Sequence, residues 1–240
     1  VEENRKRKHR HGELERKKII NAAVSALWSE KGTKALNYLT KKRGLSEKVI
    51  REFEFGYCPP NVQHQYKGRI IIPLYDTYNN VKAIITKDPT KQSSKPFLHE
   101  EFEKKYYLFG LNHAWKHILK TQKAIIVEGE YDVTNLHTNG FKMTVGASGS
   151  ALSIYQIGLL IRYCSHIYLM FDGDEAGKKS MERTLKMAKV NNFDLNRIKI
   201  IPIYLPEGVD PDEYVMNNGR ESTINLLKEA REKATENDLY

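Results

Sequence analysis

In the second half of the chain, three short apolar runs each end in acid. Residues 124–127 lead into Glu128-Gly129-Glu130-Tyr131-Asp132, and residues 167–171 into Asp172-Gly173-Asp174. Residues 198–205 lead, through a Pro-Glu-Gly loop, into Asp210-Pro211-Asp212. Runs this short, rich in Ile and Val and bounded by turn residues, read as strands buried on both faces. A fourth strand is expected at 143–145. Helical spacing falls between these runs, near 131–138, 153–163 and 175–190, with a closing helix near 220–235. Strands alternating with helices predict a mainly parallel sheet covered by helices.

The first half has a different texture. From Leu14 onward, Ile19, Ile20, Ala23, Leu27 and Trp28 recur on one helical face. Thr33 is a candidate cap for a second helix, and Ser46, ahead of Val49, Ile50 and Phe53, caps a third. Residues 69–75 and 81–86 are β-branched runs joined by turn chemistry at 76–80, which predicts a hairpin. Residues 87–102 show little periodicity and read as an ordered loop, followed by a helix near 111–119. The expected class is α/β (α+β overall). The expected divisions are a basic linker or arm at 1–13, a helical and β-hairpin subdomain at 14–122, a parallel-sheet subdomain at 123–205, and an acidic loop with a helical end at 206–240.

Acids just past the ends of parallel strands gather in the crevice at one sheet edge, where open α/β folds place their chemistry. Mg²⁺ takes oxygen ligands and usually one or two carboxylates together with substrate phosphates. Two ions can activate an attacking oxygen and stabilise a leaving one, provided acids from several segments converge. Glu128, Asp172, Asp174, Asp210 and Asp212 meet that condition if their strands are parallel neighbours. Asp132, one helical turn after Glu128, would orient ligands or bind a water. One Asp-Gly-Asp by itself is more often a turn; three acidic exits after three strands are not explained that way.

Charge narrows the partners. The chain has 39 Lys+Arg against 30 Asp+Glu, a formal net charge of +9, so a polyanion is the first partner to consider. No apolar stretch approaches the roughly 20 residues of a membrane-spanning helix, so no membrane partner is expected. The two cysteines, Cys58 and Cys164, form no CxxC pair, which leaves neither a zinc ribbon nor a disulfide framework. The basic run within 5–10 is either a solvated linker or an arm that touches phosphates. Gly146-Ala147-Ser148-Gly149-Ser150 is either an anion cradle or a connecting turn. The sequence opens on Val1, which reads as a fragment of a longer protein.

Glu128-Gly129-x-x-Asp132 followed by Asp172-Gly173-Asp174-x-Ala176-Gly177 resembles the paired signature of the TOPRIM domain. Other segments resemble bacterial (DnaG-type) primases, in the family's order over roughly residues 33–220. They are Arg43-Gly44-Leu45-Ser46 with Phe55-Gly56-Tyr57, Gly68-Arg69-Ile70-Ile71-Ile72-Pro73, Leu108-Phe109-Gly110-Leu111, and Leu205-Pro206-x-Gly208-x-Asp210-Pro211-Asp212. The resemblance implies an enzyme that makes short RNA primers from ribonucleoside triphosphates on a single-stranded DNA template. The primer 3′-hydroxyl would attack the α-phosphate and pyrophosphate would leave. It implies two or more Mg²⁺ or Mn²⁺ ions and no zinc, with Glu128, Asp172 and Asp174 catalytic and Asp132, Asp210 and Asp212 joining them around the metals. Arg43, Arg69, Lys87, Lys95 and Lys104 would contact nucleic acid or nucleotide.

The family's lysine-containing loop is altered here to Lys95-Pro96-Phe97-Leu98-His99-Glu100. The resemblance further implies a cytoplasmic setting, in a bacterium or as a phage protein in its host. It also implies a replicative helicase met through a region absent from this chain. Two rivals use the same residues differently: a TOPRIM-type nuclease, and a nucleic-acid-binding module whose acids only fix loops.

Overall fold

The computed structural model describes residues 2–90, 94, 96–149, 152–190 and 198–236. The chain forms two compact units, Val1–Phe102 and Glu103–Tyr240.

The first unit begins with α1 (Glu2–Leu27), so the helix expected from Leu14 runs back through the basic run. Its apolar positions Ile20 and Ala23 pack on Ile71, Val81 and Ile84 of a sheet. After α2 (Thr33–Asn37) the chain makes a five-residue π turn at Tyr38–Lys42. Thr33 is the first residue of α2 rather than its cap, and its hydroxyl donates back to the Glu30 carbonyl (2.9 Å). Ser46 does cap α3 (Glu47–Glu52), its Oγ accepting from the Val49 N–H at 3.3 Å.

The predicted hairpin is β2 (Ile70–Tyr75) and β3 (Val81–Lys87), paired antiparallel with a bulge at Leu74/Tyr75. Its turn is fixed by Asp76, whose Oδ1 accepts from the Tyr78 and Asn80 N–H groups, both at 2.9 Å. Short strands flank it, β1 (Gly56–Tyr57) on β2 and β4 (Phe97–His99) on β3, giving the order β1-β2-β3-β4. The stretch read as loop therefore contains an edge strand. Three residues paired on one side carry too little pattern to stand out in sequence.

The second unit is the predicted parallel sheet. Its strands are β5 (Lys123–Val127), β6 (Thr144–Gly146), β7 (His166–Met170) and β8 (Lys199–Ile203), in the order β6-β5-β7-β8 and all parallel. One face is covered by α4 (Leu111–Thr121), α6 (Ile154–Leu160) and α7 (Glu175–Val190) through Ala114, Ile118, Ile157 and Met181. Elsewhere α5 (Glu130–Thr138) packs against α8 (Pro211–Glu236). Helix α8 starts nine residues before the expected closing helix and is broken at Gly219, whose φ of 76° is not helical. Residues 103–122, expected with the first subdomain, belong to this unit.

The strand order places the site. From β5 the chain goes by α5 to β6 on one side; from β7 it goes by α7 to β8 on the other. Such a reversal opens a crevice between the carboxyl ends of two adjacent strands, where open sheets bind their ligands. Glu128 follows β5 and Asp172 follows two residues after β7.

Candidate active site

Glu128 leaves β5 half-buried, and its Oε1 is buried with no hydrogen-bond partner. Burial, then the nearby charges of Asp172 and Asp174, push its carboxyl up to about 7. Asp172, also half-buried, is pushed up to about 6 by burial, then by Asp210, Asp174 and Asp212. An anion left unpaired in a buried place is costly unless a cation or a proton meets it. These carboxylates thus repel one another across the crevice between β5 and β7.

Asp174 has a second task. Its Oδ1 accepts from the Gly177 N–H at 2.7 Å, which caps α7 and fixes the turn out of β7. Gly177 is required there, since a Cβ would stand 2.0 Å from the Asp172 carbonyl oxygen. The loop carrying Asp210 is tied to the same turn. The Gly173 N–H donates to the Val209 carbonyl (3.0 Å), and the Gly208 N–H donates back to the Gly173 carbonyl (3.4 Å).

Asp132 lies deeper than the others. Its Oδ2 accepts from the Gly129 N–H (3.0 Å) and its Oδ1 from the Asp212 N–H (3.3 Å). Both oxygens therefore bind backbone, and the residue joins the start of α5 to the start of α8. Burial, reinforced by Asp212 and Asp172, outweighs these donors and raises its pKa well above the usual carboxylate range.

The donor set suits a hard divalent cation: carboxylate oxygens only, mutually repelling, with one buried oxygen unpartnered. Among the described residues no three acidic, histidine or cysteine side chains already enclose a metal-sized space. An ion that takes one or two carboxylates and completes its shell with water and phosphate does not need such a cage.

The basic residues singled out from sequence have varied surroundings. In the first unit Arg69 is buried, its Nε donating to Thr86 Oγ1 (2.8 Å) and its Nη2 to the Pro96 carbonyl (2.9 Å), so it fastens the strand edge. Arg43 donates from Nε to the Tyr38 hydroxyl (3.0 Å). Lys87 Nζ sits 3.8 Å from the centroid of the Phe97 ring. Lys95 lies outside the described residues. In the second unit Lys104 is exposed, at the start of a single 3₁₀ turn.

Sequence reasoning missed what holds that turn. Gln156 Nε2 donates to the carbonyls of Tyr107 (2.7 Å), Ala147 (3.2 Å) and Lys104 (3.3 Å), bracing the Lys104 segment against α6. The signal was present as Ser153-x-x-Gln156, a capping box in which Gln156 Oε1 accepts from the Ser153 N–H (2.8 Å). Gln156→Ala is expected to cost about 2 kcal/mol, a fall in Tm of roughly 6 °C by thermal denaturation. Ser148 was noted only within a possible anion cradle; it adopts φ 51° and buries a hydroxyl that has no partner. Ser150 of that cradle lies outside the described residues.

Known proteins agree with this geometry. The Toprim domain family matches residues 122–199, which carry Glu128, Asp132, Asp172 and Asp174. The DNA primase of Aquifex aeolicus is 28% identical over 235 residues, covering 84% of this chain and 46% of that protein. The DNA primase of Synechococcus elongatus is 31% identical over 225 residues, covering 78% of this chain and 32% of that protein. Among solved structures, a DnaG catalytic core superposes with a TM-score of 0.81 at 25% identity, over 89% of this chain and 78% of the other. The zinc-binding and RNA polymerase domains of the Aquifex aeolicus primase give 0.76 at 25% identity, over 89% and 59%.

A four-stranded parallel sheet with acids at its switch point, matched by that family, makes the second unit a Toprim domain. Over its length the chain belongs with the bacterial DnaG-type DNA primases and corresponds to their catalytic core. It spans less than half the length of these two relatives. Among the described residues no helix is long and apolar enough to cross a membrane.

Proposed function

We propose that the chain makes short RNA primers from ribonucleoside triphosphates on single-stranded DNA by metal-dependent nucleotidyl transfer. The observation that carries this is the convergence of Glu128, Asp172, Asp174, Asp210 and Asp212, by mutual charge, at the switch point of a Toprim sheet in a DnaG-type core. These five carboxylates would hold Mg²⁺ or Mn²⁺, with Glu128 and Asp172 as the central pair. When bound, the metal would neutralise triphosphate charge and favour the ionised 3′-oxygen.

The chain's own groups set the geometry. Asp132 keeps the Asp212 backbone against α5, and Asp174 pins the start of α7 while facing the crevice. In the reaction a bond forms between the primer 3′-oxygen and the α-phosphorus, and the α–β phosphoanhydride bond breaks. The hydroxyl proton passes to solvent and pyrophosphate leaves. Lys104 would meet nucleotide phosphate, and Arg43 and Lys87 the nucleic-acid backbone. Work at a replication fork in the cytoplasm, with a replicative helicase reached through sequence outside this chain, completes the reading.

The test incubates the chain with single-stranded DNA, labelled ribonucleotides and Mg²⁺ or Mn²⁺. The expected product is short labelled RNA that disappears with EDTA. Shortening of end-labelled DNA without ribonucleotides would replace this reading with a nuclease.

A further inference from the structure

The 3₁₀ turn at Lys104–Tyr106 exposes more than a lysine. Tyr106 meets Tyr155, in the first turn of α6, edge to face, with ring centroids 4.7 Å apart and planes at 64°. Both rings stay open to solvent, Tyr106 at 37% exposure and Tyr155 at 53%. Lys105 Nζ lies 4.8 Å from the Tyr106 centroid and 6.0 Å from that of Tyr155. Lys105 also pairs with Glu103 at 3.6 Å, where both side chains are exposed. A surface pair of that kind is worth little and gives way to a phosphate.

A single exposed aromatic needs no explanation. Two that touch beside one ammonium, on a turn braced from behind, do need one. Gln156 Nε2 donates to the Lys104 and Tyr107 carbonyls, on either side of the rings, and Ser153 Oγ donates to the Lys105 carbonyl at 2.6 Å. These bonds all end on backbone and leave the rings alone. An edge-to-face contact occupies one face of one ring, so the pair keeps flat aromatic surface for another π system. Rings already held in place lose little further freedom when something stacks on them.

The pair also stands near the acids. Gln156 Nε2 donates to the Ala147 carbonyl (3.2 Å), and the Ala147 N–H donates to the carbonyl of Val127 (2.9 Å), the residue before Glu128. The tyrosines therefore sit on the β6 flank of the sheet's carboxyl edge, at the same end as the carboxylates.

We propose that Tyr106 and Tyr155 form a stacking platform for an unpaired base of single-stranded DNA, with Lys105 meeting the adjoining phosphate. This rests on the reading of the chain as a primer synthase and deepens it by naming what holds the template beside the acids. Every base has a π face, so stacking suits a strand that is copied whatever its sequence. The bases of a growing primer are paired with the template, which leaves only the unpaired template with free faces.

The experiment is fluorescence anisotropy of a labelled oligodeoxynucleotide with the whole chain, in EDTA and without ribonucleotides, so that neither metal nor chemistry contributes. The Tyr106→Ala, Tyr155→Ala double variant is expected to bind at least about tenfold more weakly than the parent. The Tyr106→Phe, Tyr155→Phe double variant keeps both rings and should stay within about twofold. The salt dependence should keep its slope in the alanine variant and fall by about one in Lys105→Ala, because the rings meet bases and the lysine meets phosphate. In the unsubstituted chain, nitration of Tyr155 read by mass spectrometry should be slowed more by the oligonucleotide than by an abasic strand of equal length, a comparison independent of how any variant folds. Unchanged affinity in the alanine variant would leave the pair as a protein-docking patch and overturn the proposal. An equal loss in the phenylalanine variant, or equal protection by the abasic strand, would also overturn it, even if the chain makes primers. Binding that depends on the tyrosines in a chain that makes no RNA would keep the DNA contact and count against primer synthesis instead.

Discussion

Glu128→Gln is expected to raise the melting temperature of the metal-free protein at pH 8 while cutting primer synthesis by at least about 100-fold. The two effects share one cause. Burial and the charges of Asp172 and Asp174 lift the Glu128 carboxyl to about 7 in the folded state, against an ordinary value of 4.5. A carboxyl raised on folding contributes stability that is full below about 4.5 and is lost as pH climbs through about 7. At pH 8 the parent therefore folds around an unwelcome charge, and the neutral amide removes it. Because Glu128 is only half-buried, solvent screens part of the penalty, leaving a gain on the order of 1 kcal/mol, or about 3 °C.

Calorimetry in EDTA at pH 5 and pH 8 checks this: the advantage of the variant should be present at pH 8 and shrink toward pH 5. A variant that melts below the parent at pH 8 would show that Glu128 is a structural partner and not an unpaired charge. Mg²⁺ should reverse the order, because it stabilises the parent by binding the folded state and the variant less.

Gly173→Ala is expected to be as damaging to activity as loss of an acid, without touching any ionisable group. An added Cβ would stand 2.0 Å from the Pro206 carbonyl oxygen and 3.1 Å from that of Val209. Both are backbone atoms, which cannot swing aside as a side-chain tip can. The 206–209 loop must move, and the paired bonds between Gly173, Val209 and Gly208 go with it. Asp210 then leaves the neighbourhood of Asp172. Overpacking of this kind costs about 1–3 kcal/mol, roughly 3–9 °C. Gly158→Ala is the control: its Cβ meets nothing within 4 Å in α6, so stability should rise slightly. Activity that survives in Gly173→Ala, at any Mg²⁺ concentration up to saturation, would show that the two acidic turns need not be tied.

The parallel sheet was legible because its strands are buried on both faces, and such strands are unbroken apolar runs in sequence. The acids were legible for the same reason, since a carboxylate directly after such a run can only emerge at the strand end. What the sequence hid were relations between distant residues. Asp132 reads as one more acid of the motif, and only the fold shows its oxygens bound to the backbone of residues 129 and 212. Arg69 reads as a free cation in a basic segment, yet it is buried with Thr86 and the Pro96 carbonyl. The basic edge of the sheet was invisible for a different reason. Lys123, His166 and Lys199 are isolated in sequence and become neighbours only through strand register.

Helix α5 has one further consequence. Every residue from Glu130 to His137 is buried, and the helix packs against α8. A helix covered all round has no partial opening that would let water reach its backbone, so its amide protons exchange only when the whole unit opens. Asp132 is carried inside that helix. Slow amide exchange along α5 would thus report directly on the packing that holds Asp132 against the start of α8.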